Sequence, residues 1–96
     1  MGRVDRIFDA LGDPTRVAIV VELAKRDNQT LFELCTRLVH RGPGMSRQAI
    51  AKHLAVLKAA GLISATSVGR TSVHRLERSA LADAQQWLST VIATEQ

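Results

Sequence analysis

The sequence is short of the residues that mark several classes of protein. Its 96 residues include one cysteine, two prolines, no tyrosine and only 3% aromatic residues. A single cysteine excludes an internal disulfide and fits a reducing compartment, so we expect a cytoplasmic protein. No apolar run is long enough to cross a membrane, so no membrane partner is expected. The N-terminal residues differ from a signal peptide because acidic residues interrupt their apolar pattern.

Hydrophobic residues nevertheless make up 46% of the chain, which is too many for a disordered protein. A chain of this length folds around one small core, so residues 1–96 are predicted to form a single domain. The sequence contains no glycine-rich phosphate loop, no nucleophile elbow and no metal-ligand cluster. We therefore expect that the protein is not an enzyme.

Acidic residues are scarce in one part of the chain. Between Arg41 and Arg78 there are seven lysines and arginines, and Glu77 is the only acid, whereas the remaining residues carry six bases and eight acids. The net charge of +4 therefore combines a segment of +6 with a remainder of −2. A localised positive field favours binding of a polyanion. Composition alone leaves a solvated basic face as the alternative.

The apolar spacing predicts three helices in the first forty residues. The second of them has Asp13 as its N-cap and Pro14 at its first position, where the missing N–H costs nothing. It is apolar almost all round, so we expect it at the centre of the core. Thr30 and Glu33 form a capping box that opens a third helix, which runs to about Leu38.

The segment Ser46–Ile63 is the most informative part of the chain. Ser46 suits an N-cap, and Gly61 stands where a helix end favours a left-handed residue. One buried stripe is predicted on this helix, formed by Ile50, Leu54 and Leu57.

Two short strands follow this helix, at Ser64–Ser67 and Thr71–Leu76, with Val68–Arg70 at the tip of the hairpin. On the second strand, alternation should turn one of His74 and Arg75 inward and the other outward. A helix followed by such a hairpin is how a winged helix-turn-helix contacts DNA. The predicted fold class is therefore mainly α, with about five helices and a two-stranded wing.

The arc of the helix opposite the buried stripe carries side chains that suit a DNA groove. Gln48 can pair with adenine, Arg47 with guanine, and Lys52 with a guanine edge or a phosphate. Ala51 is small enough to permit close approach. Double-stranded DNA is therefore the predicted partner.

Four further residues are predicted to contact DNA. Arg70 lies at the hairpin tip, where few folding reasons place an arginine, and we expect it to contact a phosphate or the minor groove. Ser46 and Thr30 open helices whose N-termini can hold phosphates, although both are also explained as caps. His53 flanks the polar arc, and a phosphate contact and a partly buried structural role are both open for it.

The two terminal helices are predicted to form a dimer interface. Ser79 caps the last helix, and each terminal helix has an apolar stripe that the central helices do not need for their core. A small domain gains stability by pairing such stripes across a two-fold axis. The predicted interface consists of Ile7, Phe8, Leu11, Leu81, Trp87, Leu88, Val91 and Ile92. In the alternative, both helices pack only on their own chain.

Four pieces of the sequence resemble the ArsR family of bacterial winged-helix repressors. They are I-F-D-A-L-G-D-P-T-R-V-A-I-V, E-L-C-T-R-L, A-K-H-L-A-V-L-K-A-A-G-L-I and G-R-T-S-V-H-R-L, in the family's order, and the resemblance covers about residues 7–92. It implies a cytoplasmic homodimer that binds a pseudo-palindromic operator and represses transcription. It also implies that Ser46–Ala60 is the recognition helix and that Arg70 lies at the wing tip. A winged helix that binds another protein is the alternative, and it should expose an apolar patch.

The chain departs from this family's pattern in two places. Metal-sensing members carry Cys-x-Cys on the third helix, but here Arg37 follows Cys35 at the second position, and the last helix offers Asp83 without a histidine. We therefore expect no metal site and no cofactor, with Cys35 half-buried in the core and a redox switch as the lesser alternative. The segment Val39–Met45 is about five residues longer than the family's spacing, with His40–Gly44 as an insertion that is either a surface excursion or a phosphate contact through Arg41. The sequence indicates no particular inducing signal or effector ligand.

Overall fold

The computed structural model describes residues 2–38 and 46–95. In this part of the chain the helices are α1 (Arg3–Ala10), α2 (Pro14–Lys25), α3 (Leu31–Leu38), α4 (Arg47–Ala59) and α5 (Arg78–Ala93). The strands are β1 (Gln29–Thr30), β2 (Ile63–Val68) and β3 (Thr71–Leu76). The predicted fold class is confirmed. The predicted insertion His40–Gly44 lies outside the described residues.

The core is formed by residues of all five helices together with β2 and β3. Its fully buried side chains include Ile7, Ile19, Leu23, Leu34, Ile50 and Leu57. The prediction that α2 lies in the core is confirmed, because Ala18, Ile19, Val20 and Leu23 are buried, but its apolar residues Val17 and Val21 are each 41% exposed. These two residues are one helical turn apart, so they form one exposed strip on α2.

The sheet contains a strand that the sequence pattern did not reveal. Its order is β1-β3-β2, with all pairs antiparallel, and β1 pairs Gln29 with His74 and Thr30 with Val73. The turn before β1 is held by a long-range contact, since an Asp27 carboxylate oxygen accepts from the Leu76 backbone N–H at 2.9 Å. The wing hairpin therefore stays attached to the helical core through β1.

The hairpin turn is tighter than predicted. Val68 pairs with Thr71 as the last residue of β2, so only Gly69 and Arg70 form the turn. Gly69 has a φ of 63°, as the first central residue of a type II′ turn requires. The prediction that Val68 belongs to the tip is wrong by one residue.

The last helix begins two residues earlier than predicted. Glu77, not Ser79, is its N-cap residue, and Glu77 makes no side-chain capping bond. Its carboxylate instead accepts from the Ser64 hydroxyl at 2.6 Å, which fixes the connection between β3 and α5. Among the described residues, no helix has the length and apolar character needed to span a bilayer.

The terminal helices pack on each other within one chain. The Phe8 and Trp87 rings meet edge to face, with centroids 5.3 Å apart, and Arg3 forms an exposed ion pair with Asp83 at 2.9 Å. Ile7 is fully buried within its own chain, so the prediction that it lies in a dimer interface is wrong. Phe8, Leu11 and Leu81 are partly buried against the core. The outer part of α5 remains open to solvent, through Trp87, Leu88, Val91 and Ile92.

Candidate nucleic-acid interface

Helix α4 is built as the sequence pattern predicts. The Ser46 hydroxyl oxygen accepts from the Ala49 backbone N–H at 3.1 Å, which confirms Ser46 as the N-cap. The stripe of Ile50, Leu54 and Leu57 is buried against the core. Gly61 follows the helix with a φ of 78°, the left-handed conformation that ends it. These local contacts fix which side of α4 faces outward.

The outward face of α4 carries four of the predicted contact residues. Arg47, Gln48, Ala51 and Lys52 are all exposed. None of the three polar side chains makes a hydrogen bond or an ion pair with another described residue. Their donors and acceptors are therefore available to a ligand, and two alanine-sized positions, Ala51 and Ala55, leave room for close approach.

His53 lies on the other flank of α4, against the start of α2. Its Nδ1 is 3.8 Å from an Asp13 carboxylate oxygen and 3.5 Å from Arg16 Nη1. Asp13 also accepts from the Arg16 backbone N–H at 3.0 Å, and that hydrogen bond is the main reason why the pKa of Asp13 is lowered. The geometry thus favours the structural role for His53.

Thr30 is engaged in the predicted capping box. Its hydroxyl oxygen accepts from the Glu33 backbone N–H at 3.1 Å, and a Glu33 carboxylate oxygen accepts from the Thr30 backbone N–H at 3.0 Å. The same backbone N–H of Thr30 is the main cause of the lowered pKa of Glu33. Thr30 is therefore explained by folding, and any phosphate contact of its helix remains a prediction.

A groove of about 350 Å³ separates α4 from the wing. Three of the predicted residues, Arg47, Ala51 and Arg70, line it together. Lys58 also lines the groove and was not predicted as a contact residue, although it lies three helical turns after Arg47 and thus on the same face. Gln48, Lys52 and Ser46 lie outside the groove lining.

Beneath the groove lies a buried polar pair that sequence reasoning missed as a functional candidate. His74 is 7% exposed and Gln29 is 2% exposed, and His74 Nδ1 is 3.0 Å from the Gln29 carbonyl oxygen. The Gln29 side chain accepts from Arg37 Nε at 2.9 Å and donates to the carbonyl oxygen of Arg26. The predicted alternation on β3 is confirmed, because Arg75 is exposed while His74 is buried.

The third helix has no arrangement suited to a soft metal. Cys35 is partly buried and packs against the core, as predicted. Within residues 2–38 and 46–95, no group of three or more His, Cys, Asp or Glu side chains could hold a metal ion. That operator affinity does not respond to metal ions remains a prediction.

The helix pair α3–α4 with the adjoining hairpin defines the winged helix-turn-helix class of DNA-binding proteins. In agreement, the profile of the helix-turn-helix domain family matches residues 11–64. Over 73 residues, 75% of this chain and 79% of the relative, the chain is 48% identical to the "Uncharacterized HTH-type transcriptional regulator YuzN" of Bacillus subtilis. Over 78 residues, 81% of this chain and 67% of the relative, it is 37% identical to the HTH-type transcriptional regulator Rv2034 of Mycobacterium tuberculosis.

The similarity extends to solved structures. The ArsR-like transcriptional regulator from Rhodococcus sp. RHA1 superposes with a TM-score of 0.74 at 36% identity, covering 95% of this chain and 80% of that chain. This chain belongs to the ArsR family of helix-turn-helix transcriptional regulators. Its relatives are transcriptional regulators and not enzymes.

Proposed function

We propose that this protein is a single winged-helix domain that represses transcription by binding a pseudo-palindromic operator as a homodimer. In this proposal α4 enters the major groove and the wing lies against the DNA backbone. The observation that carries it is the outward face of α4, where Arg47, Gln48 and Lys52 are exposed without partners among the described residues. As a regulator of chromosomal genes, the protein would act in the cytoplasm of a bacterium.

The side chains of this face divide into two kinds of contact. Gln48 offers an amide that can donate to and accept from an adenine edge, and Lys52 can donate to guanine. Arg47, which also lines the groove beside the wing, can donate to guanine or to a phosphate. Arg70 projects from a two-residue turn at the end of the wing, where it would contact a phosphate or a narrow minor groove. Sequence preference would then come from α4, and a large part of the affinity from the backbone contacts.

Support for a homodimer comes from α5. Trp87, Leu88, Val91 and Ile92 are between 45% and 83% exposed, which is a large apolar surface on one helix. We propose that a second copy of this chain covers it, with Phe8 and Leu11 of α1 at its edge. A two-fold dimer would present two copies of α4 to two half-sites of an operator.

Repression follows from this arrangement without further parts. A dimer bound across a promoter occupies the DNA that RNA polymerase needs, so no activating contact is required. The alternative, a winged helix that binds protein, has less support, because three cations line the groove beside α4. On the wing, Val68 is exposed, but it stands next to polar residues and forms no extended apolar patch with them.

The direct experiment is an electrophoretic retardation assay with the DNA that lies upstream of the protein's own gene. We expect retardation at a lower protein concentration than for a random duplex of equal length, with one dimer per duplex. Equal affinity for both duplexes would contradict sequence-specific regulation. No binding to either duplex, together with capture by a protein partner, would favour the alternative.

A further inference from the structure

The groove between α4 and the wing holds more positive charge than folding explains. Arg47 and Lys58 line it from α4, and Arg70 lines it from the turn of the wing. These three side chains have no hydrogen-bond or ion-pair partner within the described part of the chain, and no carboxylate is among the lining residues. Three cations around one concavity attract an anion.

A buried histidine, His74, also lines this groove. His74 as a whole is only 7% exposed. Its Nδ1 is 3.0 Å from the Gln29 carbonyl oxygen, whereas its Nε2 has no partner among residues 2–38 and 46–95. No fully buried polar side-chain atom in the described residues lacks a partner, so the unpartnered Nε2 keeps some exposure to solvent.

The bond to Gln29 decides which form of the ring can bind an anion. A carbonyl oxygen only accepts, so Nδ1 must carry the proton that it donates. In the neutral ring Nε2 then carries a lone pair, which a phosphate oxygen would repel. Only a ring with protons on both nitrogens can donate from Nε2 into the groove.

We infer that this groove binds one phosphate group, held by Arg47, Lys58 and Arg70 and by Nε2 of a doubly protonated His74. The inference deepens the proposed function and rests on it for the source of the phosphate, which is the DNA backbone. A neutral ring must gain its second proton from solvent when phosphate binds, so we expect DNA binding to be coupled to proton uptake at this site. The phosphate itself keeps its charge.

The other groups near His74 leave this reasoning intact. Thr71 and Ser72 bring hydroxyls to the groove, and the β2 residue opposite His74 is Ala65. The nearest carboxylates serve other partners, because Asp27 accepts from Leu76 N and Glu22 lies 3.9 Å from Arg37 Nε. Neither of these carboxylates lines the groove.

The test compares the pH dependence of binding to a random-sequence duplex, since a phosphate contact does not depend on base sequence. For the wild type, affinity should fall as pH rises, by up to about tenfold per pH unit, because one proton is taken up with each phosphate. The variant His74→Asn can still donate to the Gln29 carbonyl but does not reach the groove, so its pH dependence should be flatter. His53→Gln is the matched variant, because it removes a histidine that lies outside the groove, beside Asp13 and Arg16, and the slope that remains in it measures the contribution of His74. Equal slopes for wild type and His74→Asn would overturn the inference.

A spectroscopic measurement on the wild type covers the case in which His74→Asn does not fold. The ¹⁵N shift of His74 Nε2 should move from the range of an unprotonated nitrogen to that of an N–H when duplex is added. Inorganic phosphate, titrated at constant ionic strength against sodium chloride, is the second probe. If phosphate alone moves the signal, the site is supported even should the protein fail to bind DNA. If DNA binds and the signal does not move, the site is wrong and the proposed function stands.

Discussion

Charged substitutions on α5 test the proposed dimer most sharply. Leu88 and Val91 are 45% and 49% exposed, so a two-fold contact would remove about half of each side chain from water. Fully burying a side chain of this size stabilises by about 1.5–3 kcal/mol. The two copies of a dimer bring four such side chains, so half of that burial for each amounts to about 3–6 kcal/mol. Since each 1.4 kcal/mol is about a tenfold change, the double variant Leu88→Glu with Val91→Glu should raise the dimer Kd by roughly 100- to 10,000-fold.

Sedimentation equilibrium measures this change, and operator affinity should fall in parallel. The matched control is Gln86→Glu with Thr90→Glu, which adds the same charge to the polar side of α5 and should leave the dimer intact. Equal weakening by both double variants would show that charge alone, and not the apolar surface, is responsible. A wild type that is monomeric at micromolar concentration and still binds its operator tightly would refute the dimer.

Three further predictions concern stability and ligand response. The backbone N–H of Arg16 holds the pKa of Asp13 below its ordinary value. The stabilisation by this carboxylate is therefore complete above the pKa of aspartate in the unfolded chain, and it is lost as pH falls through the pKa of Asp13 in the folded protein. Urea unfolding at several pH values should show that Asp13→Asn loses less stability on acidification than the wild type does. Gly61→Ala should lower the free energy of unfolding by about 1 kcal/mol, because the φ of 78° is unfavourable for a residue with a Cβ. The loss should be no larger, since no atom lies close enough to clash with an added Cβ. One equivalent of zinc or cadmium should leave operator affinity unchanged, and a loss of about tenfold in a retardation assay would place a metal at Cys35.

The elements that could be predicted are those that local chemistry decides. Asp13 and Ser46 cap their helices as the sequence indicates, because a cap is a contact between residues three positions apart. Strand β1 could not be predicted, since two residues show no periodicity. Their pairing partners are distant in sequence: Gln29 pairs with His74, 45 positions away, and Thr30 pairs with Val73. The sequence pattern places the start of α5 two residues too late, because Ser79 is the residue that suits an N-cap. The observed N-cap residue, Glu77, makes no capping bond, and its carboxylate accepts from Ser64 on β2 instead.

Some residues of the candidate site could likewise be predicted from local spacing, and others could not. Helical spacing was enough to place Arg47 and Gln48 on the outward face of α4. The roles of Lys58 and His74 depend on how the wing folds back towards α4, and no local pattern carries that information. The exposure of Val17 and Val21 on α2 likewise depends on which neighbours pack there.

The central claim is that α4 distinguishes DNA sequences while the wing holds the backbone, and one ratio tests it. That ratio is the affinity for the operator divided by the affinity for a random duplex, measured for Gln48→Ala and Arg70→Ala beside the wild type. Gln48→Ala should lower the ratio by roughly tenfold or more, since a good bidentate pair discriminates by about 1–3 kcal/mol. Arg70→Ala should weaken both affinities by similar factors and flatten the salt dependence by about one phosphate contact. An unchanged ratio for Gln48→Ala, or a changed ratio for Arg70→Ala alone, would contradict the account.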